Sequence, residues 1–286
     1  MKNLKIKLVL VIFICMNLLS FSQKKDIISY ENGKLNGKYV EYYENGNKKV
    51  EGVFKNNLRI GNWKVWDEKG KLIMEREYYN SVLIRSILSF KKVIEYDSIF
   101  EGKFRKLRES DVLWSKRVWR KIENDSLNSV MFKDKFLQNV IKNGIKKNKL
   151  IVYKTNKLDK IIEGENLDKI LKNINSVSCE FILKEDWFFN KTNEQMEFRY
   201  IGISFVKENN ELCAVYFPEF RDLLADGAFN NKKDFFSIIE FFSNREFNST
   251  IIKESSLNHT KVTPKRAKEI ELQIFKTEHE FWLKND

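Results

Sequence analysis

The chain has 286 residues, a formal net charge of +12 and 42% hydrophobic residues. That length suits one large domain or two smaller ones. Its 23 Phe can fill a sizeable core, while only two Pro and 11 Gly argue against long disordered linkers.

Lys2, Lys5 and Lys7 precede an apolar run from Leu8 to Leu19, and Ser20-Phe21-Ser22 supplies small residues where a signal peptidase reads. Residues 1–22 therefore read as a secretory signal peptide, with Gln23 as the mature N-terminus. The run is short for a bilayer span, which disfavours an uncleaved anchor. Ile14 before Cys15 is too large for a lipobox. No later stretch is long and apolar enough to span a membrane, so the expectation is an exported, soluble protein.

Residues 30 to 79 contain an internal repeat. Gly37 and Gly61, Tyr39 and Trp63, Tyr42 and Trp66, and Gly46 and Gly70 are each 24 residues apart, and Tyr30, Phe54 and Tyr78 keep the register. Glu44-Asn45-Gly46 is a type I′ hairpin signal, because both turn positions favour φ > 0. Each unit is expected to be a β-hairpin with its aromatic residues on one face, stacked on the next. Barely two and a half units are present, so the repeat should dock on the remainder of the chain. The pattern Gly61, Trp63, Trp66, Gly70 resembles the MORN-like hairpin repeat of the YwqK family. Such repeats imply an interaction surface, which makes Trp63 and Trp66 candidates for partner contact. The alternative is that these rings only stack between repeats.

Residues 79–100 form a transition, with β-rich runs at Val82-Leu83-Ile84 and Val93-Ile94. A basic stretch comes next, from Lys103 to Arg108. Ser110 or Asp111 can then cap a short helix, before an alternating strand that starts at Val118. Trp114, Arg117 and Trp119 interleave as they do in some nucleic-acid binders, but export argues against that partner. The Trp residues read as core and the charges as a solvated face. Met131, Phe132, Phe136, Leu137, Val140, Ile141 and Ile145 predict a helix over Val130 to Ile145. Leu150 to Tyr153 is a short strand. Leu167, Ile170, Leu171 and Ile174 make another helix, with Asn166 as its cap.

Ser178 to Ala225 holds three runs rich in aromatic and aliphatic residues, separated by polar hinges at residues 190–193 and 207–210. This is the pattern of a three-stranded antiparallel meander. The second run has apolar groups on both faces, so it should be central. Pro218 ends the third strand, and Phe220, Leu223 and Leu224 fit a short helix. Cys179 and Cys213 fall in the first and third strands. They are either two buried thiols or, if those strands were neighbours, a disulfide.

Asp234 can cap a helix through Phe242, and Phe247 to Glu254 reads as a strand. Thr263 and Pro264 start a last helix whose stripe is Ala267, Ile270, Ile274 and Phe281, widened by Phe275 and Trp282. The only histidines are His259 and His279, and the sequence lacks HExxH, paired CxxC, Walker, GxSxG and GxGxxG motifs. Glu185 and Asp186 are adjacent in a strand and point to opposite faces, which makes a poor acid–base couple. The expectation is a protein without catalytic residues, metal or cofactor.

From about Arg108 onward the chain resembles the GldN (PorN) family. The resemblance rests on Asp111 to Arg120, Lys184 to Phe189, Arg199 to Ile203, Tyr216 to Arg221, Ile251 to Ser255 and Glu278 to Trp282, in that order. Two departures stand out. Glu123 to Asn128 replaces an Asp-Leu-Arg-Glu-Lys-Met-like run, and the hairpin repeat is not part of ordinary GldN. The resemblance implies a periplasmic component of type IX secretion and gliding motility in Bacteroidetes, held at the inner face of the outer membrane. Such proteins form a large ring with the lipoprotein GldK, and the motor proteins GldL and GldM engage it. The expected architecture is α+β: a signal peptide over 1–22, an antiparallel hairpin repeat and connector over 23–100, and a GldN-like domain over 101–286. That domain should have a central antiparallel meander with flanking helices. Its candidate contact residues are Trp114, Arg117, Trp119 and Trp282. The rival reading is a stand-alone envelope-binding module, whose repeat recognises a glycan, an anionic surface or a protein.

Overall fold

The computed structural model describes residues 24–79, 82–88, 93–95, 108–132, 136–176, 179–192, 194–225, 242, 245, 247–255 and 262–284. The chain forms two compact units, Met1–Gly102 and Lys103–Asp286.

The first unit is a seven-stranded antiparallel sheet in which each strand pairs with its neighbours in the chain. The strands are β1 (Ile27–Glu31), β2 (Lys34–Tyr42), β3 (Lys48–Lys55), β4 (Leu58–Trp66), β5 (Leu72–Tyr79), β6 (Val82–Leu88) and β7 (Val93–Glu95). The 24-residue period is visible in these bounds: β2, β4 and β6 start at equivalent positions, and so do β3 and β5. The β-rich runs expected in a transition thus continue the same sheet, because β6 pairs with β5 from Tyr79↔Val82 to Met74↔Leu88.

The turns alternate between two kinds. Asn32-Gly33 and Asn56-Asn57 have positive φ at both positions, 48° and 81°, then 51° and 66°. These are type I′ turns, which suit the twist of the strands they join. The turn at Glu44-Asn45-Gly46 differs from expectation, since among its residues only Gly46 has positive φ, at 83°. Gly46 N–H donates to the Tyr43 carbonyl (2.9 Å), and Gly70 N–H repeats this with Asp67 (3.0 Å). Both are type I turns followed by a left-handed glycine. Asn45 stabilises this form by accepting the Asn47 N–H (2.9 Å) while its amide donates to the Glu68 carbonyl of the next turn (2.7 Å).

One face of this sheet buries Tyr39, Phe54, Trp63 and Tyr78. Their rings meet at centroid distances of 5.4 Å (Tyr39–Phe54), 4.8 Å (Phe54–Trp63) and 6.4 Å (Trp63–Tyr78). Gly52 makes this possible. A Cβ there would lie 2.2 Å from the Trp63 indole, so only glycine lets the ring cross β3. The Arg59 guanidinium sits over the Trp63 and Tyr78 rings at 5.4 and 5.1 Å.

The second unit is α+β. After one turn of 3-10 helix (Glu109–Asp111) come β8 (Val112–Ile122), α1 (Ser129–Phe132), α2 (Phe136–Lys146), β9 (Val152–Tyr153) and α3 (Gly164–Ser176). The meander comes next as β10 (Glu180–Asn190), β11 (Gln195–Lys207) and β12 (Asn210–Tyr216), then α4 (Phe217–Ala225), β13 (Ser249–Glu254) and α5 (Pro264–Lys284). The sheet order is β13-β8-β10-β11-β12-β9, all antiparallel. The meander keeps β11 in the interior as expected, and β8 extends it on the far side of β10.

Several local expectations are corrected. Ser110 and Asp111 start no α-helix; β8 already begins at Val112, because Trp114, Lys116 and Val118 line one face at strand spacing. The helix expected over 130–145 is described as α1 and α2, with residues 133–135 outside the described residues. The strand at 150–153 shortens to Val152–Tyr153, and that at 247–254 to Ser249–Glu254. Asn166 lies inside the first turn of α3 rather than at its cap. The last helix starts where Thr263 and Pro264 put it: Thr263 Oγ1 accepts the Arg266 N–H (3.2 Å). The helix expected from Asp234 falls outside the described residues, apart from Phe242.

Register shows how the sheet is used. Residues 181, 183, 185, 187 and 189 of β10 pair with 122, 120, 118, 116 and 114 of β8, so these two rows share one face. On β11, pairing jumps from Gly202 to Tyr200, leaving Ile201 unpaired. That bulge brings Tyr200 and Ile203 to the same face, and both are buried there. One end of this face packs Ile122, Phe181, Leu183, Ile203, Phe205 and Val215 under α1–α4; the other packs Val118, Trp187 and Ile251 under Ala267, Ile270 and Ile274 of α5. All five helices among the described residues therefore cover the same side.

Candidate interaction surface

Between the two apolar ends of the covered face lies a buried ionic group. Arg120 Nε donates to Glu185 (2.8 Å), and its Nη1 also bonds Glu271 of α5. Arg245 donates to both Glu185 oxygens (3.2 and 3.3 Å) and to the Tyr200 hydroxyl (3.3 Å), and Trp187 Nε1 donates to Glu185 as well (3.0 Å). Arg245 is caged by Trp187, Phe198, Tyr200 and Phe247, 4.4 to 5.7 Å from the ring centroids. Burial works to raise the Glu185 carboxyl, but Arg245 and Arg120 overcome it and hold the group below the usual carboxylate range. Two cations and two carboxylates balance, so the group holds β8, β10 and α5 together without net charge. This corrects the expectation that the charges of β8 are solvated: Arg120 and Lys116 are buried. Lys116 Nζ donates to Glu254 of β13 (2.8 Å) and to Gln273 of α5 (3.0 Å).

The Glu123 to Asn128 departure has a structural use. Asn128 Nδ2 donates to the carbonyls of Glu123 (2.6 Å) and Asn248 (2.7 Å), and its Oδ1 accepts the Asn248 N–H (2.9 Å). This clasp ties the end of β8 to the start of β13.

The opposite face carries the remaining chemistry. Here Arg117, Trp119 and Lys121 of β8 lie beside Glu180, Lys184, Asp186 and Phe188 of β10. Arg117 forks onto Asp186 (2.5 and 2.6 Å), and Lys121 meets Glu180 (2.7 Å). The Lys253 ammonium lies 4.5 Å from the Trp119 ring centroid, and Arg199 lies 5.2 Å from that of Phe188. Lys184 donates to the Asn156 carbonyl (2.8 Å), and burial pulls its ammonium below the usual range. Arg117, Lys121, Lys184, Arg199 and Lys253 share this side with Glu180, Asp186, Glu197 and Glu211, so charges of both signs interleave on it.

The candidate contact residues do not converge. Trp63 is 0% exposed and Trp282 is 2% exposed, so both indoles are packing groups and offer a partner no surface. Trp282 Nε1 donates to the Glu194 carbonyl (3.0 Å), its ring lies 5.0 Å from His279, and Glu278 accepts the Met196 N–H (2.8 Å). That closing motif clamps the β10–β11 turn. Trp114 is half-buried against the α5 cluster. Trp66 is half-buried beneath Lys48. Arg117 and Trp119 share the face opposite the described helices, where Arg117 is half-buried and Trp119 is itself buried. Cys179, just before β10, and Cys213 of β12 are free, buried thiols.

Sequence reasoning missed Glu185 as a hub. The signal was an acid inside an apolar run, with Arg120 in another. Arg245 left no signal, because its partners come from distant strands. Among the described residues no group of three or more His, Cys, Asp or Glu is arranged to hold a metal, and no helix is long and apolar enough to cross a membrane. A depression of about 580 Å³ in the first unit brings only Glu31 and Lys55 as ionisable groups.

These features describe a layered α+β unit with a charged, tightly bonded interior and one sheet face that the described helices leave uncovered. Residues 107–283 match the family model described as "Gliding motility associated protein GldN". The match covers more than half of the chain, and the chain belongs to that family, one of gliding-motility and type IX secretion components rather than a known enzyme family. No curated protein matches the chain.

Proposed function

We propose that this protein is a non-enzymatic structural component or accessory of the type IX secretion and gliding machinery. It acts in the periplasm, at the inner face of the outer membrane, assembled in several copies with a GldK-like lipoprotein and reached by a GldM-like motor protein. The observation that carries this reading is the family match across the whole second unit. The one-sided helix layer supports it, because the described helices leave uncovered a sheet face on which Arg117 is half-buried and Lys253 is exposed. Such a face suits a partner surface of complementary, interleaved charge. The first unit, with its MORN-like repeat, is an appended recognition element.

Affinity purification from native envelopes through a C-terminal tag, followed by sizing, tests this. The expected result is a GldK-like lipoprotein in a large particle, with recovery lowered by the pair Arg117→Glu and Lys253→Glu. A small monodisperse protein without that partner would sink the proposal.

A further inference from the structure

The repeat contains a second set of aromatic residues that does not enter its core. Tyr42 ends β2 and Trp66 ends β4, 24 residues apart, and both are half-buried. Each carries a lysine over its ring. Lys24 Nζ is 5.5 Å from the Tyr42 centroid, and Lys48 Nζ is 5.6 Å from the Trp66 centroid. These lysines are themselves 24 residues apart. Tyr42 pairs with Lys48 and Trp66 with Leu72, so Lys24, Tyr42, Lys48 and Trp66 run in one row across the end of the sheet. Lys48 also bonds Glu51 (2.7 Å), which pairs with Lys38 (3.2 Å), so the row lies on the charged side and not with Tyr39 and Trp63.

The repeat thus keeps one aromatic position for packing and a second for the surface. The backbone that carries both surface rings is tied down. The Tyr42 N–H donates to Asp26 (3.0 Å), and the Tyr43 hydroxyl donates to the Trp66 carbonyl (2.8 Å). The strands carrying them are separated by β3, which puts the platforms two strand spacings apart, about 9.5 Å. That interval is close to one disaccharide of an extended β-linked chain. The lysine beside each ring is mobile enough to move from the ring to an incoming carboxylate.

We infer that this row, Lys24-Tyr42-Lys48-Trp66, binds an acidic polysaccharide, with sugar rings stacked on Tyr42 and Trp66 and their carboxylates paired with the lysines. The inference stands apart from the scaffold reading, because it uses only the first unit.

The test is affinity electrophoresis of the chain from Gln23 onward, through gels containing alginate or neutral dextran. Retardation by alginate but not dextran is expected. The Tyr42→Ala, Trp66→Ala pair should lose about ten-fold or more in affinity, with an unchanged far-UV circular dichroism spectrum. The Lys24→Gln, Lys48→Gln pair keeps the rings and should weaken binding and its salt dependence, which decides the matter if the ring variant misfolds. No retardation by alginate, equal retardation by dextran, or lysine variants that bind like the parent chain would each overturn the inference.

Discussion

The two units solve the problem of burying a sheet in opposite ways. In the first, every strand pairs with its neighbour in the chain, and the same 24-residue pattern is laid down repeatedly. In the second, β8 sits between β13 and β10, and groups as far apart as Lys116 and Gln273, 157 residues, are bonded. The first is held by local turns and stacked rings, the second by closure of distant segments on a buried ionic group. Local pairing has low contact order and forms quickly, whereas the second sheet waits for β13 and α5 before its Arg120 and Glu185 are enclosed. Buried charge is tolerable only once enclosure is complete.

This contrast can be broken from either side. The largest effect is expected for Glu185→Ala, which takes from Arg245 the carboxylate it bonds and leaves Arg120 with Glu271. Removing one partner of a buried pair costs about 3–5 kcal/mol. Hydrogen exchange should accelerate in β8, β10 and α5 while the repeat strands β2–β5 keep their protection; loss in the repeat as well would show that the units are not independently held. Gly52→Ala is the matching lesion in the first unit. The added Cβ meets the Trp63 ring, and overpacking of this kind costs about 1–3 kcal/mol. Here exchange should speed up in β3 and β4 with the second unit unchanged.

Acid separates the units more gently. Glu185 has a folded pKa below its ordinary value, so its contribution is complete above about pH 4.3 and is lost as pH falls through the lowered folded value. Denaturant midpoints measured down the pH scale should fall in the second unit. Glu185→Gln should be less stable at neutral pH yet flatter in acid; an equally steep fall would assign the acid sensitivity to other carboxylates. The smallest effect is expected for Arg117→Ala. Its side chain is 42% exposed and its pairing with Asp186 lies at the surface, where such pairs contribute about 0–1 kcal/mol. A melting shift beyond a few degrees would mean that the open face is more than a docking surface.

The same contrast accounts for how much is legible in the sequence. The repeat is legible because its signals recur at a fixed interval. The type of turn at Gly46 is not, since Asn-Gly suits a two-residue loop, whereas the bonds of Asn45 to Asn47 and to the Glu68 carbonyl of the neighbouring turn favour the longer one. The meander is legible from its alternating runs and polar hinges. The bulge at Ile201 is hidden, because Ile201 and Ile203 are alike in sequence and differ only in their partners. The face that Arg120 occupies is hidden for a similar reason: alternation places a residue on a side, but only β10 and α5 decide which side is covered. Trp63 and Trp282 are surface candidates by residue type alone, and packing has absorbed both.

The margins of the two sheets have one further consequence. β7 has three residues and β9 only two, β1 is interrupted by a register shift between Ile28 and Tyr30, and β13 by another between Ile251 and Lys253. Border strands this short or kinked are poor templates for a second copy of the chain to extend, which works against growth into fibrils.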